Sequence, residues 1–241
     1  MAEKGQNPYL KGGNTMENRN LSNGQPKPLL VYFVAIYAAS LLIANVLANH
    51  MLGAGWFQTN AGILTFPITY IIASILAEVY GYKWARRAAW LSLALNALLA
   101  ILIQISILLP QPVWYDGIYF AQGVGGTLRI VVASLTAFTI GKFANDRIFI
   151  HLKGKNTGME GFKFRAMASS IVGHVFDTTI FLFIAFGSIP IWRDLPGTVM
   201  PWSDLPWNIF IGVCLKWGYE WLALPLTVFI VKRVKNYEGV S

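Results

Sequence analysis

The chain has 241 residues, of which 55% are hydrophobic and only 12% are charged. Soluble domains carry about 25% charged residues, so this composition excludes an ordinary soluble domain. The formal net charge of +8 is gathered in clusters between long apolar runs, which argues against a nucleic-acid-binding surface. The single cysteine, Cys214, excludes a disulfide framework.

The first part of the chain is polar, rich in Gly, Asn and Lys, and free of hydrophobic periodicity. We expect residues 1–28 to form a disordered cytoplasmic tail and residues 232–241 to form a C-terminal cytoplasmic tail. Residues 29–231 are expected to form one six-helix transmembrane domain.

Six continuous apolar segments follow the tail, at about 29–49, 61–80, 88–109, 125–147, 166–190 and 205–231. A helix of about 20 apolar residues is long enough to cross the hydrocarbon core. Transmembrane strands would instead show ten-residue stretches of alternating hydrophobicity. The predicted fold is therefore an all-α membrane protein with six transmembrane helices and no soluble domain.

The basic residues predict the orientation of these helices. Sixteen of the 19 lysines and arginines lie in the N-terminal tail, the loop between segments two and three, the connection between segments four and five, and the C-terminus. Basic loops stay on the cytoplasmic side of a membrane. We therefore expect a multi-pass protein of the cytoplasmic (inner) membrane with both termini in the cytoplasm, and this pattern explains the basic pI without nucleic acid.

Several charged or polar side chains fall within the apolar segments. A charge at the centre of a bilayer costs about 2.5–3.5 kcal/mol on insertion scales, so such residues usually face the interior of a bundle and mark a site. A rise of about 1.5 Å per residue places three of them, Asp177, Glu220 and Lys216, near the midplane. The full set is Glu78, Arg129, His174, Asp177, Lys216 and Glu220.

The spacing of these residues predicts shared helix faces. His174 and Asp177 are three residues apart, and Lys216 and Glu220 are four apart, so each pair lies on one face of its helix. Purely structural ion pairs, Asp177–Lys216 or Lys216–Glu220, are one interpretation, and a substrate route is the other. Glu78 and Arg129 lie nearer the membrane interfaces, where long side chains can reach the headgroups.

Two prolines, Pro67 and Pro225, are expected inside the second and sixth helices. A proline within a membrane helix frees a backbone carbonyl, which is tolerated where it lines a cavity.

The common catalytic motifs are missing from the sequence. It contains no G-x-x-x-x-G-K-[ST] nucleotide loop, no H-E-x-x-H and no G-x-S-x-G. We therefore expect no enzyme activity, no catalytic residues, no metal site and no cofactor. A membrane-embedded enzyme using His174 and Asp177 as acid and base is an alternative, although no nucleophile or metal set stands beside them.

Three blocks of sequence resemble the queuosine precursor transporter family, also called the vitamin uptake transporter family. The first is TFPITY at 65–70 with AEVYGYK at 77–83, the second lies at 128–134, and the third runs over 169–186. The resemblance extends over about 60–230. The chain departs from the family pattern at Ser74, where an acid is common, and at His174, where Asn or Gln is usual.

The resemblance implies a carrier of 7-deazaguanine compounds, chiefly 7-cyano- and 7-aminomethyl-7-deazaguanine, salvaged for a modified tRNA base. The expected partners are this small-molecule deazapurine and the lipid bilayer, with a homodimer as one option and no nucleic acid. An alternative is the substrate-binding subunit of an ATP-driven vitamin-type uptake complex. The expected substrate-binding residues are Asp177, Glu220, Lys216, Glu78, Arg129, His174, Phe66 and Tyr70.

These residues suit the chemistry of such a base. A deazaguanine presents a ring N–H and an exocyclic amine side by side, next to a carbonyl oxygen. A carboxylate can accept hydrogen bonds from both donors, and a lysine or arginine can donate to the carbonyl. An aromatic side chain can stack on the ring.

Reporter fusions test the predicted topology. Fusions after residues 55, 118 and 198 should report an external location, and fusions after 84, 156 and 238 a cytoplasmic one, because basic loops remain inside. A cytoplasmic signal at 118 would contradict the six-helix arrangement.

Overall fold

The structure is a computed structural model that describes residues 28–153, 158–192 and 197–239. The predicted tail up to residue 27, the end of the second tail at 240–241, and Arg193 lie outside the described residues. The helices are α1 (Pro28–Leu47), α2 (Phe66–Val79), α3 (Tyr82–Leu108), α4 (Ile118–Val124), α5 (Thr127–Lys153), α6 (Gly158–Phe186) and α7 (Leu205–Glu238). Short 3₁₀ turns span Ala61–Thr65 and Pro190–Trp192.

Six helical segments in the described part of the chain are long and apolar enough to cross a membrane, as predicted. Some of the helices extend beyond the predicted apolar segments. The third begins at Tyr82 rather than near residue 88, and the last continues to Glu238, into the stretch predicted as a tail. Hydropathy marks only the part of a helix that lies in hydrocarbon, whereas Lys, Arg and Glu continue a helix readily.

A small β-hairpin, β1 (Met51–Ala54) with β2 (Phe57–Asn60), follows α1 and was not predicted. The strands pair antiparallel, with Ala54 opposite Phe57. Gly55 opens the two-residue turn with φ of 60°, a conformation that favours glycine in tight hairpins. The hairpin adds a two-stranded sheet between the first two spans of the predicted helical bundle.

Hydrogen bonds identify the two ends of the bundle. One carboxylate oxygen of Glu238 accepts from the backbone N–H of Leu29 (3.1 Å) and from the hydroxyl of Tyr80 (2.9 Å). The start of α1, the end of α2 and the end of α7 therefore meet at one end, here called the terminal end. At the opposite, hairpin end, the indole N–H of Trp207 donates to the carbonyl of Trp56 (2.7 Å).

Pro67 does not interrupt the interior of the second helix, which corrects the prediction that it frees a carbonyl there. It occupies the first turn of α2, directly after the 3₁₀ turn Ala61–Thr65. Proline has no N–H to donate and is therefore best tolerated in a first helical turn. The hydroxyl of Thr65 donates to the carbonyl of Gly62 (2.9 Å), and that of Thr69 to the carbonyl of Phe66 (2.8 Å). Pro225 does lie inside α7, as expected.

Glycines allow α6 to approach both of its neighbours closely. A Cβ placed on Gly141 of α5 would lie 2.8 Å from Cβ of Asp177, and one on Gly212 of α7 would lie 2.9 Å from Cγ2 of Thr178. Small residues at membrane helix interfaces permit such close backbone packing. The backbone around Asp177 is consequently held from two sides.

Two apolar clusters occupy the bundle. One, near the hairpin end, includes Leu182, Phe186 and Leu205. The other, near the terminal end, includes Leu76 and Val234. The middle turns of α6 and α7 lie between them and carry the charged side chains.

Substituting Gly141 tests this packing. We expect Gly141→Ala to destabilise the protein by about 1–3 kcal/mol, the usual cost of overpacking a tight interface. Gly218→Ala on α7 is the matched control, because nothing lies within 4 Å of its added Cβ. Thermal unfolding in detergent measures both, and equal midpoints for the two variants would contradict the close approach.

Candidate substrate-binding site

Six of the eight predicted site residues come together on three helices, and we call them the central cluster. Its members are Phe66 and Tyr70 on α2, His174 and Asp177 on α6, and Lys216 and Glu220 on α7. Each helix contributes two residues three or four positions apart, so both point from the same face. Helices α2 and α6 both pack against α7, which brings the three faces together.

One ion pair and one histidine–carboxylate contact join α6 to α7. The Lys216 ammonium lies 2.5 Å from Oδ2 of Asp177, and Nε2 of His174 lies 3.0 Å from Oε2 of Glu220. The structure thus contains the expected Asp177–Lys216 pair. Glu220 is paired across the interface with His174 rather than along its own helix with Lys216.

Ser170, one turn before His174 on α6, completes the second pair. Its hydroxyl lies 3.3 Å from Nε2 of His174 and 3.3 Å from Oε2 of Glu220. Sequence reasoning did not assign Ser170 to the site. The spacing of four residues from His174 was the signal that could have identified it.

The aromatic residues of α2 border the cluster. The Tyr70 ring meets the His174 ring edge-on with centroids 6.0 Å apart, and the Phe66 ring lies 6.2 Å from that of Tyr70. The Lys216 ammonium lies 5.1 Å from the centre of the Phe66 ring, within the range of a cation–π interaction. An aromatic wall therefore stands next to the Asp177–Lys216 pair.

The acids of the cluster are more open than the bases. Lys216 and His174 have side chains 8% and 15% exposed, whereas Asp177 and Glu220 are 30% and 44% exposed. Within the described residues, only one oxygen of each carboxylate is engaged, Oδ2 of Asp177 and Oε2 of Glu220. Oδ1 and Oε1 are thus left as hydrogen-bond acceptors. The arrangement can receive a ligand that carries several donors.

Arg129 lies outside the central cluster, at the hairpin end of α6. The residue is 2% exposed, and its guanidinium donates to the carbonyls of Ile184 (3.0 Å) and Gly187. These carbonyls belong to the last turn of α6 and its continuation, which lack helical partners of their own. Its observed contacts are those of a structural cap.

Glu78 is also separate from the cluster. It lies eight residues beyond Tyr70 on α2, which corresponds to about 12 Å along the helix axis. Its side chain is exposed, and it makes no hydrogen bond or ion pair within the described residues. No contact connects it to the other predicted site residues.

A second polar network was not predicted. Asn45 of α1 donates to Oδ1 of Asn96 of α3 (2.6 Å), and Ser134 of α5 donates to Oδ1 of Asn45 (2.8 Å). Asn96 in turn donates to the backbone of Ser92 (2.8 Å). Asparagines within apolar segments were the sequence signal that could have predicted this network. Because these side chains form hydrogen bonds with one another, the network holds α1, α3 and α5 together.

A cavity of about 400 Å³ lies at the hairpin end, away from the central cluster. The hairpin lines one side of it through residues such as Met51 and Gln58, and the loop at 198–201 lines the other. Deeper along α6 and α7, the buried side-chain oxygens Oγ1 of Thr178 and Oδ1 of Asn208 have no hydrogen-bond partner among the described residues.

The family of the chain follows from its sequence match. Residues 60–230 match the family described as "Putative vitamin uptake transporter". The chain belongs to the vitamin uptake transporter family. The predicted resemblance is thereby confirmed, and every member of the central cluster lies within the matched residues.

This vitamin uptake transporter family member is also similar to a curated protein. Over 141 residues it is 28% identical to the queuosine precursor transporter of Escherichia coli (strain K12). The match covers 56% of the chain and 58% of that relative, so the chain spans little more than half the relative's length. No solved structure matches the chain.

A double substitution tests the Asp177–Lys216 pair. We expect Lys216→Met to destabilise the protein by about 3–5 kcal/mol, because it leaves Asp177 without its partner. The double variant Lys216→Met with Asp177→Asn should return to within about 1 kcal/mol of wild type, since replacing both members of a buried pair is often near neutral. Thermal unfolding measures all three proteins.

Lys232→Met on the exposed terminal part of α7 serves as the control for loss of a lysine. If Lys216→Met unfolds at the same temperature as Lys232→Met, the pair does not contribute to stability.

Proposed function

We propose that this protein imports queuosine precursors, 7-cyano- and 7-aminomethyl-7-deazaguanine, across the cytoplasmic membrane for tRNA modification salvage. The family match over 60–230 and the name of the E. coli relative support this substrate class. The six membrane-length helices support a carrier. The observation that carries the proposal is the central cluster, because it presents donors, acceptors and an aromatic wall together.

The Asp177 carboxylate is proposed to bind the donor edge of the base. Its Oδ1 has no partner within the described residues, and Oδ2 retains one acceptor position beside Lys216. The ring N–H and the exocyclic amine are adjacent donors, which a single carboxylate can accept together. Hydrogen bonds to charged groups are stronger than neutral ones, so this contact would dominate recognition.

The remaining members of the cluster have complementary roles in this proposal. The Lys216 ammonium donates to the carbonyl of the base, and the Phe66 ring, 5.1 Å from that ammonium, stacks on the purine-like plane. Glu220 provides its unengaged oxygen to a further donor. Glu78 and Arg129 are not part of this binding geometry; Arg129 instead holds the end of α6.

The direction of access follows from the basic residues. The bonds of Glu238 place both described ends of the chain at the terminal end of the bundle. The basic loops would hold this end in the cytoplasm. The hairpin end then faces outward, and the cavity of about 400 Å³ lies on that side of the protein.

Uptake of a labelled deazaguanine tests the proposal directly. Cells that lack their own carrier and express only this chain should accumulate the label, and Asp177→Asn should reduce the initial rate about 10- to 100-fold. The estimate follows from losing a charged hydrogen bond worth about 1.5–3 kcal/mol, at about 1.4 kcal/mol per factor of ten.

Asp116→Asn is the matched control, because it makes the same change at an exposed position at the start of α4. Protein level in the membrane should be measured for each variant. Equal uptake by Asp177→Asn and Asp116→Asn would remove Asp177 from the site. Lack of uptake by wild type, with a competent ATP-driven partner required to restore it, would indicate a subunit instead of a complete carrier.

A further inference from the structure

The formal charges of the central cluster do not balance. Asp177 and Glu220 are two carboxylates, and among the described residues Lys216 is the one permanent cation that contacts them. Helix α2 contributes the phenol of Tyr70 and the ring of Phe66 to the cluster. With a neutral imidazole at His174 the cluster carries one net negative charge.

We propose that a proton bound at the His174–Glu220 pair supplies the missing positive charge and couples substrate movement to proton movement. This inference rests on the proposed transport function. A net charge between the apolar clusters of a membrane bundle is unfavourable, whereas a balanced set of ion pairs is tolerated. One proton brings the cluster to zero.

The geometry favours His174 over the other groups as the place for this proton. Lys216 is already engaged with Asp177 at 2.5 Å, and Arg129 is held by backbone carbonyls near the hairpin end. Nε2 of His174 lies 3.0 Å from Glu220, so an N–H there donates to the carboxylate. The added proton comes from hydronium: one O–H bond breaks and one N–H bond forms at Nδ1 of the imidazole, and release of the proton reverses the step.

The two pairs are adjacent but separable. Lys216 and Glu220 lie one turn apart on α7, as do Asp177 and His174 on α6. Ser170 accompanies only the His174–Glu220 pair. Glu220 is 44% exposed, so this pair is not enclosed by protein on all sides. Substrate bound at Asp177 and a proton bound one turn away would therefore occupy the same site together.

Coupling follows from the charge count. The cluster is neutral when the proton is present, so the helices can close around the loaded site without burying a net charge. Without the proton, closure buries one negative charge and is disfavoured. A neutral substrate such as 7-cyano-7-deazaguanine would then cross together with one proton.

Purified full-length protein in liposomes tests the coupling with labelled 7-cyano-7-deazaguanine. Two assays are run: exchange of label against unlabelled substrate at equal pH, and net accumulation with the outside more acidic and the membrane potential clamped. For wild type we expect exchange, together with accumulation of about tenfold for about one pH unit, because each factor of ten equals about 1.4 kcal/mol. A protonophore should abolish accumulation and leave exchange intact.

His174→Gln should lose accumulation and slow exchange, because the amide cannot bind the proton and the cluster then keeps its net negative charge when the site closes. Its control is His50→Gln, an exposed histidine after α1, which should behave as wild type in both assays. Glu220→Gln is a second variant: it leaves Asp177 and Lys216 as a balanced pair, so whatever rate of exchange and downhill uptake remains should no longer depend on pH.

Each outcome decides between the inferences. Wild-type exchange with accumulation driven by sodium, or insensitive to the pH difference, would overturn the proton coupling and leave the proposed transport standing. Accumulation by His174→Gln equal to that by His50→Gln would also overturn it. Absence of exchange in wild type would overturn the proposed function itself, and the coupling with it.

Discussion

The ion pair between Asp177 and Lys216 is the interaction on which the middle of the bundle depends. A lone charge at this depth is costly in a membrane, so each member requires the other and fixes the distance between α6 and α7. Glycines make that distance attainable: Gly141 lets α5 approach Asp177, and Gly212 lets α7 approach the next residue of α6. One apolar cluster lies on each side of this pair along the helices, so the ionisable side chains form a single layer between them.

Within this layer, the acidic side chains are more exposed than the basic ones, so the same residues can contribute to stability and to binding. The bases are buried and act as anchors, whereas the acids retain exposed oxygens. A carboxylate can hold its structural partner through one oxygen and present the other to a ligand. The same side chains can therefore hold the helices together and recognise a substrate, which is why a loss of uptake must always be read beside a measurement of folding.

The sequence predicted the six spans well because a bilayer demands long apolar helices, and that demand is visible residue by residue. It also marked Asp177, Lys216, His174 and Glu220 as candidate site residues, because ionisable side chains stand out within apolar segments. It did not determine that Glu220 pairs with His174, since partner choice depends on how α6 and α7 are rotated against each other. The roles of uncharged residues were also missed: neither the Asn45 network nor the break before Pro67 leaves a charge in the pattern.

The shared acceptor at Glu238 has a consequence for the assembly of the bundle. Its carboxylate bonds to Leu29, 209 positions earlier in the chain, and to Tyr80, 158 positions earlier. Neither bond can form before the ribosome has made the end of α7. While the earlier helices enter the membrane, the start of α1 and the end of α2 lack this hydrogen-bond partner. The three helix ends can therefore be joined only in the last step of biogenesis, after α7 is complete.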